Sequence, residues 1–209
     1  MEVTVTDLPT STLAPTRLCL RAVDGTEVAA DPDRWLGHPG PEEEALLDQA
    51  QGPVLDVGCG PGRHVMALAR RGIMALGLDI TPSAVRLARR RGALVLERSV
   101  FDHVPGKGLW GSALLLDGNV GIGGDPRALL TRLAALIRPG GVVLVELEGA
   151  TPPRQRQTVR LEHRGRPGPW FPWAWVGVDG LADVAAPAHL TIADVWSDGG
   201  RFFARLERR

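Results

Sequence analysis

The chain has 209 residues, enough for one domain with a sizeable core, and its 26 glycines and 17 prolines stay below the level that marks disorder. Its 24 Lys and Arg balance its 24 Asp and Glu, which argues against a general nucleic-acid binder, since such proteins need a basic footprint. Two cysteines, Cys19 and Cys59, suggest neither a disulfide framework nor a four-ligand metal site, and no metal is expected. Glu2 and Asp7 stand where a signal peptide would be basic, no apolar stretch follows, and runs such as Ala113–Leu116 are too short to cross a bilayer. The expectation is a soluble cytoplasmic protein.

Residues 1–52 read as an N-terminal extension, expected to cap the substrate side. In it, Leu18–Val23 and Thr26–Ala30 flank the turn signal Asp24-Gly25. Pro41-Glu42-Glu43-Glu44 opens a helix to about Ala50, with proline and acids where the helix dipole favours them. From residue 53 strands and helices alternate. Pro53–Val57 is a strand followed by a helix to Arg71, and Ile73–Leu78 is a second strand ending at Asp79. Thr81-Pro82 caps the helix Ser83–Arg90, and Ala93–Glu97 is the third strand. Ser112–Leu116 is the fourth, ending at Asp117. Asp125-Pro126 opens a helix to Arg138, and Pro139-Gly140-Gly141 turns into the fifth strand, Val142–Leu147. Near-continuous apolar strands separated by helices imply a parallel sheet covered on both faces.

Residues 151–176 break the alternation and are read as a lid insertion. Arg154, Arg156, Arg160, Arg164 and Arg166 could recognise an acidic substrate, although a solvated hairpin face is the simpler reading. Trp170-Phe171-Pro172-Trp173-Ala174-Trp175 follows. If it is extended, Phe171, Trp173 and Trp175 share one face. An aromatic wall over the substrate and a covered sheet edge or dimer contact both stay open. A short helix, about Asp179–Ala186, precedes a terminal antiparallel hairpin of His189–Trp196 and Arg201–Glu207.

The chemistry concentrates in Val54–His64. Glycines stand at 58, 60 and 62, whereas the dinucleotide fingerprint requires one at 63, occupied by Arg63. Pro61 removes a further N–H from the loop, a poor choice for a pyrophosphate. The loop thus suits close approach by something less anionic. Asp79 stands 23 residues after Asp56, near the spacing at which a carboxylate takes ribose hydroxyls; the plainer alternative is a helix cap. Asp56, inside a buried strand, needs a donor from loop amides or a ligand ammonium.

Val54–Gly62, Asp79 and Pro139-Gly140-Gly141 together resemble the class I S-adenosylmethionine-dependent methyltransferase family, over about residues 50–150 and the terminal hairpin. The resemblance implies an α/β, Rossmann-like, doubly wound fold: a mostly parallel seven-stranded sheet with an antiparallel C-terminal hairpin, spanning residues 53–209. It implies S-adenosyl-L-methionine as cofactor, with its methionine portion at Asp56, Gly58, Cys59, Gly60 and Gly62. Asp79 would then take the ribose, with Ile80 beside the adenine. Where the family carries an acid against the adenine this chain has Val100, so adenine is read by backbone at Val100 and Phe101, or Asp102 substitutes through a shifted loop. Asp117, Gly118 and Asn119 map to the methionine side.

The Asn/Asp-Pro-Pro-aromatic signature of methylation on nucleobase or amide nitrogen is absent from Asp117-Gly118-Asn119-Val120. The implied reaction is in-line methyl transfer to a small-molecule acceptor, with His38, Asn119, Trp170 and Trp173 on the acceptor side. No general base is singled out among the histidines, and His64 is expected to pack against the loop. No nucleic acid or membrane partner is expected, and a homodimer is left open. The alternatives are an NAD-dependent oxidoreductase, disfavoured by Arg63 and Pro61, and a non-catalytic cofactor-binding or interaction module on the same fold.

Overall fold

Asp24-Gly25 does turn the chain: Gly25 takes φ +89° and the Asp24 carboxylate accepts the Thr26 N–H at 2.9 Å, joining β1 (Leu18–Ala22) to β2 (Glu27–Ala29). The computed structural model describes residues 18–149, 154–163 and 166–209, so Arg164 lies outside the described residues. A short helix, α1 (Pro32–Leu36), follows, its N-cap Asp31 accepting the Arg34 N–H. It was not foreseen, because five residues are too few for periodicity to show. Helix α2 (Pro41–Leu47) stops short of the expected Ala50.

The alternating segment folds as β3 (Val54–Val57), α3 (Arg63–Arg70), β4 (Ala75–Asp79), α4 (Pro82–Arg90), β5 (Val95–Glu97), β6 (Trp110–Leu115), α5 (Pro126–Leu136) and β7 (Ile137–Leu147). After β8 (Arg154–His163), β9 (Arg166–Pro167), β10 (Phe171–Val176) and α6 (Leu181–Ala185), the hairpin of β11 (Leu190–Asp198) and β12 (Arg201–Arg208) ends the chain. One sheet has the order β11-β12-β7-β6-β3-β4-β5, parallel from β5 to β7 and antiparallel beyond. This is the seven-stranded Rossmann-like sheet expected. Val54–Val57 is buried throughout, and separate apolar clusters fill its two faces. Strand order reverses between β3 and β6, so a crevice opens at their carboxyl ends, where such sheets bind ligands.

Two local expectations are corrected. Strand β7 begins at Ile137, not Val142: Ile137 pairs with Trp110 and Val142 with Ser112, so Pro139-Gly140-Gly141 forms a bulge inside the strand. Gly140 there takes φ +72°. The Thr81 side chain makes no capping bond, and Asp79 Oδ1 takes the Thr81 N–H instead, at 2.8 Å.

The described parts of the insertion and of the N-terminal extension share a sheet: β1 pairs with both β2 and β8, and β8 pairs with β10, giving a second, antiparallel sheet of order β10-β8-β1-β2. Arg160 on this sheet is paired with Glu162, as expected of a hairpin face, while Arg156 is exposed.

Candidate functional site

The loop after β3 is fixed by its backbone to β4. Leu78 O accepts the N–H groups of both Gly58 and Cys59, at 2.8 and 3.0 Å. Asn119 Nδ2 donates to Val57 O and Gly58 O at 2.9 and 3.0 Å, and a Cβ on Gly58 (φ +73°) would lie 2.7 Å from that amide. The Cys59 thiol fills the space that Gly77 leaves free, facing β4, and burial first, then the nearby Asp56 and Asp79 charges, raises its pKa. Gly60 is different. It has φ +51°, and a Cβ built there meets nothing within 4 Å. The middle of the loop is therefore an open cradle with no side chain in it.

Asp79 faces this cradle from the end of β4. Its Oδ2 accepts the Gly60 N–H at 2.8 Å, and burial raises its pKa against the opposing pull of the Thr81 and Gly60 N–H groups. Asp56 is 1% exposed and its Oδ2 has no hydrogen-bond partner. An open glycine cradle faced by a carboxylate on the neighbouring strand end, with the buried Asp56 carboxylate behind it, suits a ligand with a cationic group and a diol. A pyrophosphate is poorly served by the same set.

The other residues proposed for the cofactor sit at the same edge. Ile80 and Phe101 are exposed, at 71% and 44%. Val100 is buried. Its carbonyl accepts from Arg132 Nε at 2.9 Å, and the Phe101 N–H donates to Ser99 Oγ at 3.2 Å, so both backbone groups have partners. Asp117 ends β6 with φ +57°, a left-handed conformation unfavourable for a side chain, and Gly118 follows at +76°.

Asp117 is held there by a charge network that sequence reasoning missed. Its N–H donates to Glu146 Oε2 at 2.6 Å, and Arg63 Nη2 donates to both Asp117 oxygens at 2.7 Å. The same Arg63 nitrogen reaches Glu43 Oε1 on α2 at 2.8 Å, and its Nη1 donates to Arg34 O. Arg34 and Arg201 then bridge Glu43 to Glu146 from either side. Burial and the Asp117 charge raise the Glu146 carboxyl to about 7. For Glu43, burial is outweighed by His64, Arg63 and Arg34, which hold it at about 2.

His64 is wedged between two acids. Nδ1 lies 3.7 Å from Asp56 Oδ2 and Nε2 lies 3.6 Å from Glu43 Oε2, ion-pair distances beyond normal hydrogen-bond reach. Burial alone would lower its pKa, but the two carboxylates push it up to about 9. His64 is thus a charged packing element, in line with its expected structural role. Signals of this network were present in the sequence. Glu146 interrupts an apolar strand, and Arg63 stands at the third glycine of the fingerprint.

The four residues placed on the acceptor side separate. Trp173 reaches the site, its Cζ2 lying 4.0 Å from a Cβ built on Gly118. Asn119 is at the site but its amide nitrogen is spent on the glycine loop. Trp170 lies under the Arg160 guanidinium, 4.6 Å from its ring centroid, on the second sheet. The His38 ring contacts Arg70 at 3.3 Å, seven residues or about 10 Å along α3 from Arg63. It does not join the others.

A Rossmann-like sheet with a glycine cradle at its switch point and an acid on the next strand defines a nucleoside-cofactor-binding α/β protein. The sequence model of the Methyltransferase domain family matches residues 54–141. A ubiquinone biosynthesis O-methyltransferase of Xanthomonas oryzae pv. oryzae is 30% identical over 165 residues, covering 59% of this chain and 60% of that protein. A 2-heptyl-1-hydroxyquinolin-4(1H)-one methyltransferase of Mycobacteroides abscessus is 43% identical over 65 residues, 30% of this chain and 29% of that protein. The chain thus spans less than two thirds of these relatives. The crystal structure of a SAM-dependent methyltransferase from Bacteroides fragilis in complex with S-adenosyl-L-homocysteine superposes with a TM-score of 0.78 at 23% identity, covering 91% of this chain and 86% of that one. Residues 54–141 thus match the Methyltransferase domain family, and the chain shares the fold of a SAM-dependent methyltransferase.

Proposed function

We propose that the chain binds S-adenosylmethionine at the carboxyl edge of β3 and β4 and transfers its methyl group to a small-molecule acceptor. The observation that carries this reading is the Gly60 cradle facing Asp79, open on the side where a Cβ would project. Asp79 would accept the ribose hydroxyls. Asp56 and the glycine loop would hold the charged amino-acid end. The cofactor brings an activated methyl group, so the protein's part is to bind, orient and exclude water. The second sheet supplies a cover from β10 across the Asn119–Gly124 turns: a Cβ on Gly121 would collide with Ala174 O at 1.9 Å. Among the described residues, no helix is long and apolar enough to cross a membrane, which suits an acceptor met in solution.

Titration calorimetry with S-adenosylmethionine, S-adenosylhomocysteine and NAD tests the reading. Binding of the first two and not of NAD is expected. NAD binding alone would instead favour an oxidoreductase. Binding without methyl transfer to a broad acceptor panel would favour a non-catalytic module.

A further inference from the structure

Beyond the cofactor-binding residues, one carboxylate at this edge is uncommitted. Glu148 lies just past β7, tied down by its backbone, whose N–H donates to Val176 O at 3.0 Å and joins the two sheets. Among the described residues its side chain makes no hydrogen bond or ion pair, whereas Glu43, Asp117 and Glu146 are all held by arginines. Its Oε1 lies 3.8 Å from a Cβ built on Gly118, and Trp173 Cζ2 lies 4.0 Å from that same point. The carboxylate and the indole edge therefore converge over Gly118, at the end of β6. Phe171 backs the indole edge-on, with ring centroids 6.0 Å apart and planes at 82°.

We infer that Glu148 and Trp173 form the acceptor-recognition site and that the acceptor presents an amine. This rests on the proposed cofactor reading. A solvent-reachable carboxylate beside an indole attracts an ammonium by charge and by the ring quadrupole together. A carboxylic acid or phosphate would be repelled, and a neutral alcohol would use neither attraction. Glycine at 118 keeps the meeting point free of any side chain. Neighbouring protein atoms raise the Glu148 pKa, which makes its carboxylate a better proton acceptor than an ordinary surface glutamate.

The step balances as follows. Glu148 takes one proton from the ammonium; the freed nitrogen lone pair forms the N–C bond as the C–S bond breaks, its electron pair staying on sulfur. The sulfonium becomes a neutral thioether, and the product leaves as a methylated ammonium. The proton on Glu148 returns to solvent.

The test is equilibrium binding to the full chain saturated with S-adenosylhomocysteine, using matched series of arylalkyl amines, alcohols and carboxylic acids. Amines are expected to bind best. Glu148→Gln should weaken amine binding at least tenfold and Trp173→Leu severalfold, with S-adenosylhomocysteine affinity unchanged in both. Equal binding of amines and alcohols, no binding by any amine, or an unaltered amine affinity in Glu148→Gln would each overturn the inference. Loss of S-adenosylhomocysteine binding in the unmodified chain would instead overturn the cofactor reading beneath it. Because Glu148 is exposed, its Gln variant should fold, and an unchanged melting temperature confirms that.

Discussion

The Gly60 N–H points at Asp79 Oδ2, 2.8 Å away, so the middle of the glycine loop and the end of β4 are locked by a charge-assisted bond. Asp79 therefore shapes the loop, besides its proposed contact with the cofactor. Asp79→Ala should weaken S-adenosylhomocysteine binding about 10- to 100-fold, the equivalent of a charged hydrogen bond of about 1.5–3 kcal/mol. Calorimetry reads the loss, and an unchanged affinity would remove Asp79 from the cofactor site.

Gly58 and Gly60 both need left-handed backbone, yet their alanine variants should fail differently. A methyl at 58 strikes Asn119 Nδ2 at 2.7 Å and Ile122 Cδ1 at 2.9 Å, so Gly58→Ala should lower the melting temperature by several degrees. A methyl at 60 enters open space and costs only the backbone strain, about 1–2 kcal/mol. Gly60→Ala should retain most stability and lose cofactor binding. If Gly60→Ala binds normally, the cradle is not where the ligand lies.

Arg63 is 2% exposed and ties Glu43 to Asp117. Removing it leaves acids without their shared cation, so Arg63→Met should destabilise the fold by about 3–5 kcal/mol in denaturant titration. A loss under 1 kcal/mol would mean that Arg34 and Arg201 suffice alone.

His64 gives stability a pH signature. Its folded pKa, about 9, lies above its ordinary 6.5, so folding binds a proton. That contribution is complete below 6.5 and fades as pH rises through 9, by at most about 3 kcal/mol at 1.36 kcal/mol per pH unit. His64→Gln should flatten the stability profile across this window. Glu146, raised from 4.5 to about 7, acts in the lower window: its protonated form favours the fold, and that part fades between pH 4.5 and 7. Glu146→Gln should flatten that lower range alone.

Asn119 is expected on both the methionine and the acceptor side, and its amide holds Val57 O and Gly58 O. Asn119→Ala should weaken cofactor binding and leave the acceptor KM unchanged. The opposite pattern would restore it to the acceptor site.

The sheet was readable because Val54–Val57 and Ser112–Leu116 are apolar apart from Asp56 and Ser112, which in a chain of this length means strands covered on both faces. The cofactor loop was readable because glycine spacing encodes backbone conformation directly. The charge network was not, since it joins Arg34, Glu43, Arg63, Glu146 and Arg201 across long sequence separations, and no local period announces such contacts. Glu146 inside an apolar strand and Arg63 at the fingerprint glycine hint at such a network, but nothing in the sequence names their partners. The pairing of β1 with β8 escaped for the same reason: both segments read as hairpins, and nothing local specifies that they share a sheet.

That shared sheet ties the proposed acceptor site to residues 18–22. Leu18–Ala22 is the strand against which Val159–His163 aligns, and β8 in turn carries the strand that bears Trp173. Transplanting residues 154–176 into another member of the family would leave β8 with an unpaired edge, and the indole without its support. A graft meant to move acceptor preference must carry residues 18–29 along with the insertion. The unit that holds the indole is then a discontinuous one, two stretches of chain more than a hundred residues apart.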